Sequence, residues 1–406
     1  MKHRPNAAHT RDSRQPAQET FLTHLTPLIL LTAIFFINFI ARITLAPLLP
    51  QVKQDLALSH AQAGSFFFLI SLGYFVTLLA SGFISSRLTH RVTIKFASIG
   101  LGIVLILTSF STGLWGMRLG LLALGMACGP YMPSGLASLT TLFNFRHWGK
   151  ALSIHEMAPN LSFFLAPLIA EIFLHWYTWR TLFRVFGVAA IVLALIFHRF
   201  GRGGEFRGEP FQYTSIRKIL SNPAFWTMVV LFSLGISGTL GIFTMLPLYL
   251  VTDHGMDRNW ANTLIAISRV AGIGMALAGG WATDRFGPQR ILKIIFVLSG
   301  LLTVFIGLAP LGWVAAAVFL QPIMAVCFFP AGLAALSMVS SAGERNLTVS
   351  LTIPLAFLLG GGAVPALIGI IGEVQSFGWG IALVGGLIMT GSILANFIRL
   401  HDQTGG

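Results

Sequence analysis

PSGLASL at residues 133–139 returns as PAGLAAL at 330–336, an offset of 197 residues. Two further pairs keep nearly the same spacing. TLAPLL at 44–49 answers TMLPLY at 244–249, and GFISSR at 82–87 answers GWATDR at 280–285. Each match is short, but three with one near-constant offset mark a chain built from two copies of one unit. The join falls in HRFGRGGEFRGEPFQYTSIRKILSN, 198–222, a polar stretch rich in Gly and charge.

The composition says what the unit is made of. Of 406 residues, 55% are hydrophobic and 10% charged, too apolar for a soluble surface. Apolar runs long enough to cross a bilayer occur twelve times, at about 28–49, 61–85, 92–110, 114–140, 149–174, 180–198, 223–251, 259–283, 289–309, 311–340, 347–371 and 377–400. The predicted fold is therefore an all-α membrane protein of twelve transmembrane helices in two six-helix bundles. Its expected organisation is a tail 1–26, a bundle 27–198, a linker 199–222, a bundle 223–400 and a tail 401–406. The chain carries 26 Lys and Arg against 13 Asp and Glu. Nineteen of the basic residues fall in the tails and alternate loops on the N-terminal side, five in the opposite loops, and two within spans. That bias places both termini in the cytoplasm and explains the net charge of +13 without nucleic acid. The basic segment 1–20 lacks the apolar stretch of a signal peptide, and the expected site is a bacterial inner (plasma) membrane. Cys128 and Cys327 lie in apolar runs and are read as packing. The eleven histidines contain no pair spaced i, i+4, and there is no GxSxG, HExxH or phosphate loop. No enzyme, metal or cofactor is expected.

The most specific motif is GWATDRFGPQR, 280–290, between spans 8 and 9. Gly280, Asp284, Arg285, Gly287 and Arg290 fill a pattern of Gly, three residues, Asp-Arg, one residue, Gly and a later basic residue. On this motif and the duplication, the chain resembles the major facilitator superfamily from about residue 25 to 400. The first-half copy, GFISSRLTHR, has Ser86 in place of the acid and Thr89 in place of the second Gly. Arg118 resembles the family's arginine early in span 4, without the glutamine and glycine that accompany it. The resemblance implies two six-helix bundles that rock around a central cavity, giving alternating access; a monomer is expected. It also implies that Asp284 sits near the inner start of span 5, by Arg146 and Lys150. With the first-half acid lost, Glu344 is the expected partner of Arg87 or Arg91.

Arg42 in IFFINFIARITLAPLLP (34–50) and Arg269 in NTLIAISRVAGIGMALAGG (262–280) are the two basic residues inside spans. A mid-membrane arginine costs about 2.5–3.5 kcal/mol even on the lenient insertion scale. Of the 13 acids only Glu156 lies well within a span. The counter-ion is then expected to be the solute, because a guanidinium matches carboxylate, phosphate or sulfonate oxygens. In the duplicated scaffold Arg42 falls on Ile242 and Arg269 on Ser71, so the scaffold itself requires neither. Asn38, Ser71, Tyr74, Tyr131, Tyr249 and Gln321 are candidate pocket residues. Each such polar tip is more often an inter-helix hydrogen bond than a ligand contact.

In span 5, Glu156 is the candidate proton carrier, with His155 beside it on a different face. Anion entry that draws an arginine away would let Glu156 take a proton, giving symport; exchange of one anion for another is equally open. The predicted function is secondary active transport of a small organic anion, a mono- or dicarboxylate first. Alternatives are a multidrug exporter working by proton antiport, or an exchanger of phosphate esters or sulfonates. Against the exporter, span 5 has Ala158-Pro159 rather than Gly-Pro, and span 1 carries arginine rather than an acid.

Overall fold

The protein is described here from a computed structural model covering residues 21–208, 213–339 and 345–398. Twelve helical segments are long and apolar enough to cross a membrane. They run Phe21–Asp55, His60–Arg87, His90–Thr108, Leu114–Leu142, Phe145–Trp176 and Trp179–Phe200 in the first half. Pro223–Thr252, Arg258–Phe286, Pro288–Leu308, Leu311–Val339, Leu347–Val374 and Phe377–Phe397 form the second. We number them spans 1 to 12. Several extend past the hydrophobic run that marks them, because hydropathy reports contact with lipid whereas helical hydrogen bonds continue into polar sequence. Spans 2, 8 and 12 begin at side-chain caps, where Ser59, Asp257 and Ser376 accept from Gln62, Trp260 and Trp379 N–H.

The repeated motif proves to be a helix break. Span 4 is interrupted at Gly129–Pro130, between Leu114–Cys128 and Tyr131–Leu142. Span 10 is interrupted between Leu311–Ala325 and Phe328–Val339. A proline cannot donate to the carbonyl four residues back, and its ring crowds it. Pro133 does this to Gly129 and Pro330 does it to Val326, one break in each half. The halves also share a close helix crossing. A Cβ at Gly102 would lie 2.5 Å from the Gly187 carbonyl oxygen, and one at Gly300 would lie 2.8 Å from that of Gly385. Spans 3 and 6, and again 9 and 12, thus meet backbone to backbone, as small residues allow in membranes.

Twelve crossings return residue 397 to the face where residue 21 starts; we call this the near face and the opposite one the far face. Hydrogen bonds and ion pairs that join the two halves, among the described residues, all lie at the far face. Arg258 Nε donates to Glu171 at 3.0 Å, and Nη1 donates to Gln51 at 3.2 Å. Asn262 Nδ2 donates to Glu171 at 2.6 Å and to the Pro47 carbonyl at 3.3 Å. Glu373, at the end of span 11, accepts from the His60 and Ala61 N–H groups at 2.6 and 3.3 Å. It thereby caps the N-terminus of span 2 from the other half, where the helix dipole favours a carboxylate. Beneath this cap Gly64 and Gly369 bring spans 2 and 11 into contact: a Cβ at Gly64 would lie 2.6 Å from the Pro365 carbonyl oxygen.

Glu171 accepts from Arg258 and Asn262 of the other half, so the loss of its carboxylate loosens the far face. Glu171→Ala is expected to raise far-face labelling of a Thr244→Cys reporter by about five- to thirtyfold, in a Cys128→Ser, Cys327→Ser background. That corresponds to about 1–2 kcal/mol, reduced from a buried pair because Arg258 is partly exposed. Unchanged labelling would remove the pair from the seal.

At the near face the linker folds back onto the first half. His90 and Arg91 N–H donate to the Phe206 and Gly204 carbonyls at 3.1 and 2.8 Å. The reversal uses Gly203 and Gly204 at φ +91° and +75°, a left-handed conformation that glycine adopts without steric cost. Arg91 pairs with Glu205 at 3.0 Å and donates to the His198 carbonyl; Glu344, the expected partner of Arg87 or Arg91, lies outside the described residues. Arg87 sits over the Phe83 ring at 4.1 Å.

Candidate solute-binding site

Two interruptions of the second half meet the first half at mid-span. Span 7 carries a π-helical turn at Ser237–Gly241, and span 11 carries one at Leu359–Ala363. Such turns recur at functional sites because they free backbone carbonyls and re-aim side chains. In span 11 the cause is local: Pro365 has no N–H for the Gly361 carbonyl. In span 7 the Gly238 carbonyl accepts from Gln321 Nε2 at 2.8 Å, and the Thr239 carbonyl accepts from Arg269 Nη2 at 3.4 Å.

Arg42 faces these turns from span 1. It lines a small cavity with Phe39, Phe67, Ser71, Tyr74 and, from the second half, Leu240, Thr244, Phe357 and Gly361. The side chain is buried, and its Nε has no hydrogen-bond partner. Its guanidinium carbon lies 4.2 Å from the Tyr74 ring centre and 4.9 Å from that of Phe39. Among the described residues no carboxylate lies within ion-pair distance of Arg42 or Arg269. Cation–π contacts offset part of the burial cost, about 0.5–2 kcal/mol each, and leave the guanidinium edge free to take an anion. The cavity volume is about 20 Å³, room for one water. A solute therefore requires it to widen.

Arg269 does not face Arg42 across an open hollow. Its guanidinium lies 5.0 Å from the Phe163 ring and 4.8 Å from the Phe243 ring. Phe163 packs edge-on against Phe243 at 4.9 Å and against Phe39 at 5.3 Å. Phe39 in turn carries Arg42. Three phenylalanine rings thus bridge the two cations. Arg269 Nε is also buried without a partner.

Of the other predicted pocket residues, Ser71 and Tyr74 do line the Arg42 cavity. Four do not, because helix rotation turns them into inter-helix bonds. Asn38 Nδ2 donates to the Cys128 carbonyl at 3.1 Å. The Tyr131 hydroxyl donates to the Leu31 carbonyl at 2.6 Å. The Tyr249 hydroxyl donates to the Ile306 carbonyl at 2.6 Å and lies 2.7 Å from His254 Nε2. Gln321 reaches Gly238, as above, and Thr303 at 3.2 Å. His155 and Glu156 do meet despite being consecutive: Nδ1 lies 3.4 Å from Glu156 Oε1. The glutamate is long enough to curl back along the helix. His155 is fully buried, stacked on Phe35 at 4.4 Å, with Nε2 3.0 Å from the Tyr131 hydroxyl. Glu156 is half exposed. At the near face Asp284, Arg285, Arg290 and Arg146 are exposed. No ion pair joins Asp284 to Arg146 or Lys150 in this state; Lys150 sits over the Phe21 ring at 4.4 Å. The far-face set Glu171, Arg258, Asn262 and Glu373 was not among the predicted gating residues. Its signal in the sequence was only an acid near the end of span 5 and a basic residue at the start of span 8.

The fold is shared with solved transporters. A bacterial homologue of the human lysosomal transporter Spinster, in an inward-facing and occupied conformation, superposes with TM-score 0.79 at 16% identity, covering 92% of this chain and 96% of that one. By sequence, the probable L-galactonate transporter of Escherichia coli strain K12 is 25% identical over 285 residues, 64% of this chain and 61% of that protein. The membrane sensor protein UhpC of Salmonella typhimurium is 24% identical over 314 residues, 70% of this chain and 68% of that protein. This chain thus spans about six to seven tenths of the length of those relatives. Residues 31–320 match the Major Facilitator Superfamily profile, most of the chain and parts of both halves, and the protein belongs to that superfamily of membrane transporters.

Proposed function

We propose that the protein carries a small organic anion, a mono- or dicarboxylate, across the membrane by alternating access, with Arg42 as the principal anchor and Arg269 as a second. The observation that carries this reading is Arg42 itself. It is buried where both halves meet, has no acidic partner among the described residues, and keeps an unsatisfied Nε beside a cavity. A charge held that way is stabilised by an anion that enters and leaves. The likeness to an L-galactonate transporter supports an acid as cargo. The distribution of Lys and Arg supports cytoplasmic termini, which makes the near face the cytoplasmic one. Uptake of labelled mono- and dicarboxylates, sulfonates and phosphate esters by proteoliposomes tests it, with Arg42→Ala and Arg269→Ala compared against wild type.

We further propose that transport is coupled to protons, a reading that the contacts of His155 support. The Tyr131 hydroxyl donates to Leu31, so its oxygen accepts from His155 Nε2–H. That leaves Nδ1 facing the Glu156 carboxylate. A lone pair and an anionic oxygen there repel unless one proton lies between them. The pair, open to the near face through the half-exposed glutamate, thus supports placing the coupling site here. Glu156→Gln is expected to abolish the pH dependence of net uptake while sparing anion counterflow. Unchanged pH dependence in both assays would take Glu156 out of coupling.

A further inference from the structure

The wall around and between the two arginines is aromatic. Phe39, Phe67, Tyr74, Phe163, Phe243 and Phe357 supply it, from both halves of the chain. Its hydroxyls are few. Thr244 donates its own to the Gly241 carbonyl at 2.7 Å, which leaves Ser71 and the Tyr74 tip. A sugar acid brings a hydroxyl on nearly every carbon, and each would be buried here without a partner, at a cost that apolar atoms do not incur. A flat apolar body would instead meet ring edges and faces, which pack favourably edge to face or offset. The guanidiniums already rest against these rings, so a planar anion can replace one ring contact with another while its oxygens take the free N–H groups of Arg42.

Resting on the anion-carrier reading above, we infer that the site selects anions with a flat, largely apolar body, aromatic or conjugated carboxylates, over polyhydroxylated acids of equal charge. The head pairs with Arg42, and the body lies among Phe39, Phe163 and Phe243 after these rings part. Phe163 is then the specificity-determining residue, because it touches both other rings and carries Arg269.

The test uses the full chain in detergent and in proteoliposomes, with benzoate, gluconate and acetate as probes of one charge and different bodies. Benzoate is expected to bind at least tenfold more tightly than gluconate. Phe163→Ala is expected to cut that ratio to threefold or less, benzoate binding losing more than acetate binding. Phe163→Leu, which keeps apolar volume, covers the case in which the alanine variant does not fold, and it is expected to lower the ratio in the same direction. Gluconate binding as tight as benzoate, abolished by Arg42→Ala, overturns the selectivity and leaves the carrier reading standing. An undiminished ratio in both Phe163 variants overturns the placement of the body. Failure of all three acids, with the other anions of the uptake screen equally silent, overturns the carrier reading and this inference together.

Discussion

On the proposed function, Arg42→Ala is expected to abolish anion transport, kcat/KM falling at least a hundredfold, while the empty protein unfolds at the same temperature as wild type or a higher one. Both halves of this outcome have one cause. Removing one member of a desolvated, hydrogen-bonded charge pair costs about 2–5 kcal/mol, and on the proposed function the loaded-state pair is Arg42 with the solute carboxylate. In the empty state Arg42 has no such partner among the described residues, only the Tyr74 and Phe39 rings. Taking away a buried cation without a carboxylate removes a desolvation cost that ring contacts only partly offset. Arg42→Lys keeps the charge but loses the planar fork, and is expected to fall between wild type and alanine. Ligand-dependent thermal shift and proteoliposome uptake on the same preparations read both quantities. A lower melting temperature with normal uptake would reassign Arg42 to structure.

Gly64→Leu is expected to stop turnover without unfolding the protein, whereas Gly125→Leu prevents folding. A Cβ at Gly64 would fall 2.6 Å from the Pro365 carbonyl oxygen in the opposite half. The halves can avoid that contact by parting at the far face, which the transport cycle already requires. A Cβ at Gly125 would fall 2.0 Å from the Ile70 carbonyl oxygen in its own half. Spans 2 and 4 have no second arrangement in which to relieve it, and backbone does not yield as a side-chain tip does. Size-exclusion profiles separate the two variants. The Thr244→Cys reporter is expected to label from the far face at least tenfold faster in Gly64→Leu. Equal labelling would mean that spans 2 and 11 do not form the moving seam.

The Arg42 cavity is instructive about what can be read from a chain alone. Arg42 was legible because a charge in an apolar run announces itself through its cost. Ser71 and Tyr74 were legible only as members of a larger polar set; Asn38, one turn before Arg42, looked equally good and instead bonds the Cys128 carbonyl. The Glu205 partner of Arg91 was not legible for a related reason: two glycines in left-handed conformation return the linker and deliver it.

By itself the sequence determined the number of spans, the duplication, and the two arginines with no acid in the same apolar run. These properties are summed or spaced along the chain, and lipid enforces them locally by penalising polar backbone and charge. Tertiary structure alone decided which polar tips reach the cavity, that phenylalanines stand between the arginines, and that Glu171, Arg258 and Asn262 close the far face. Those outcomes depend on how each helix is rotated about its axis and which distant spans become neighbours. That rotation is set by packing between helices, such as the glycine crossings at Gly64 and Gly102, and hydropathy is blind to it.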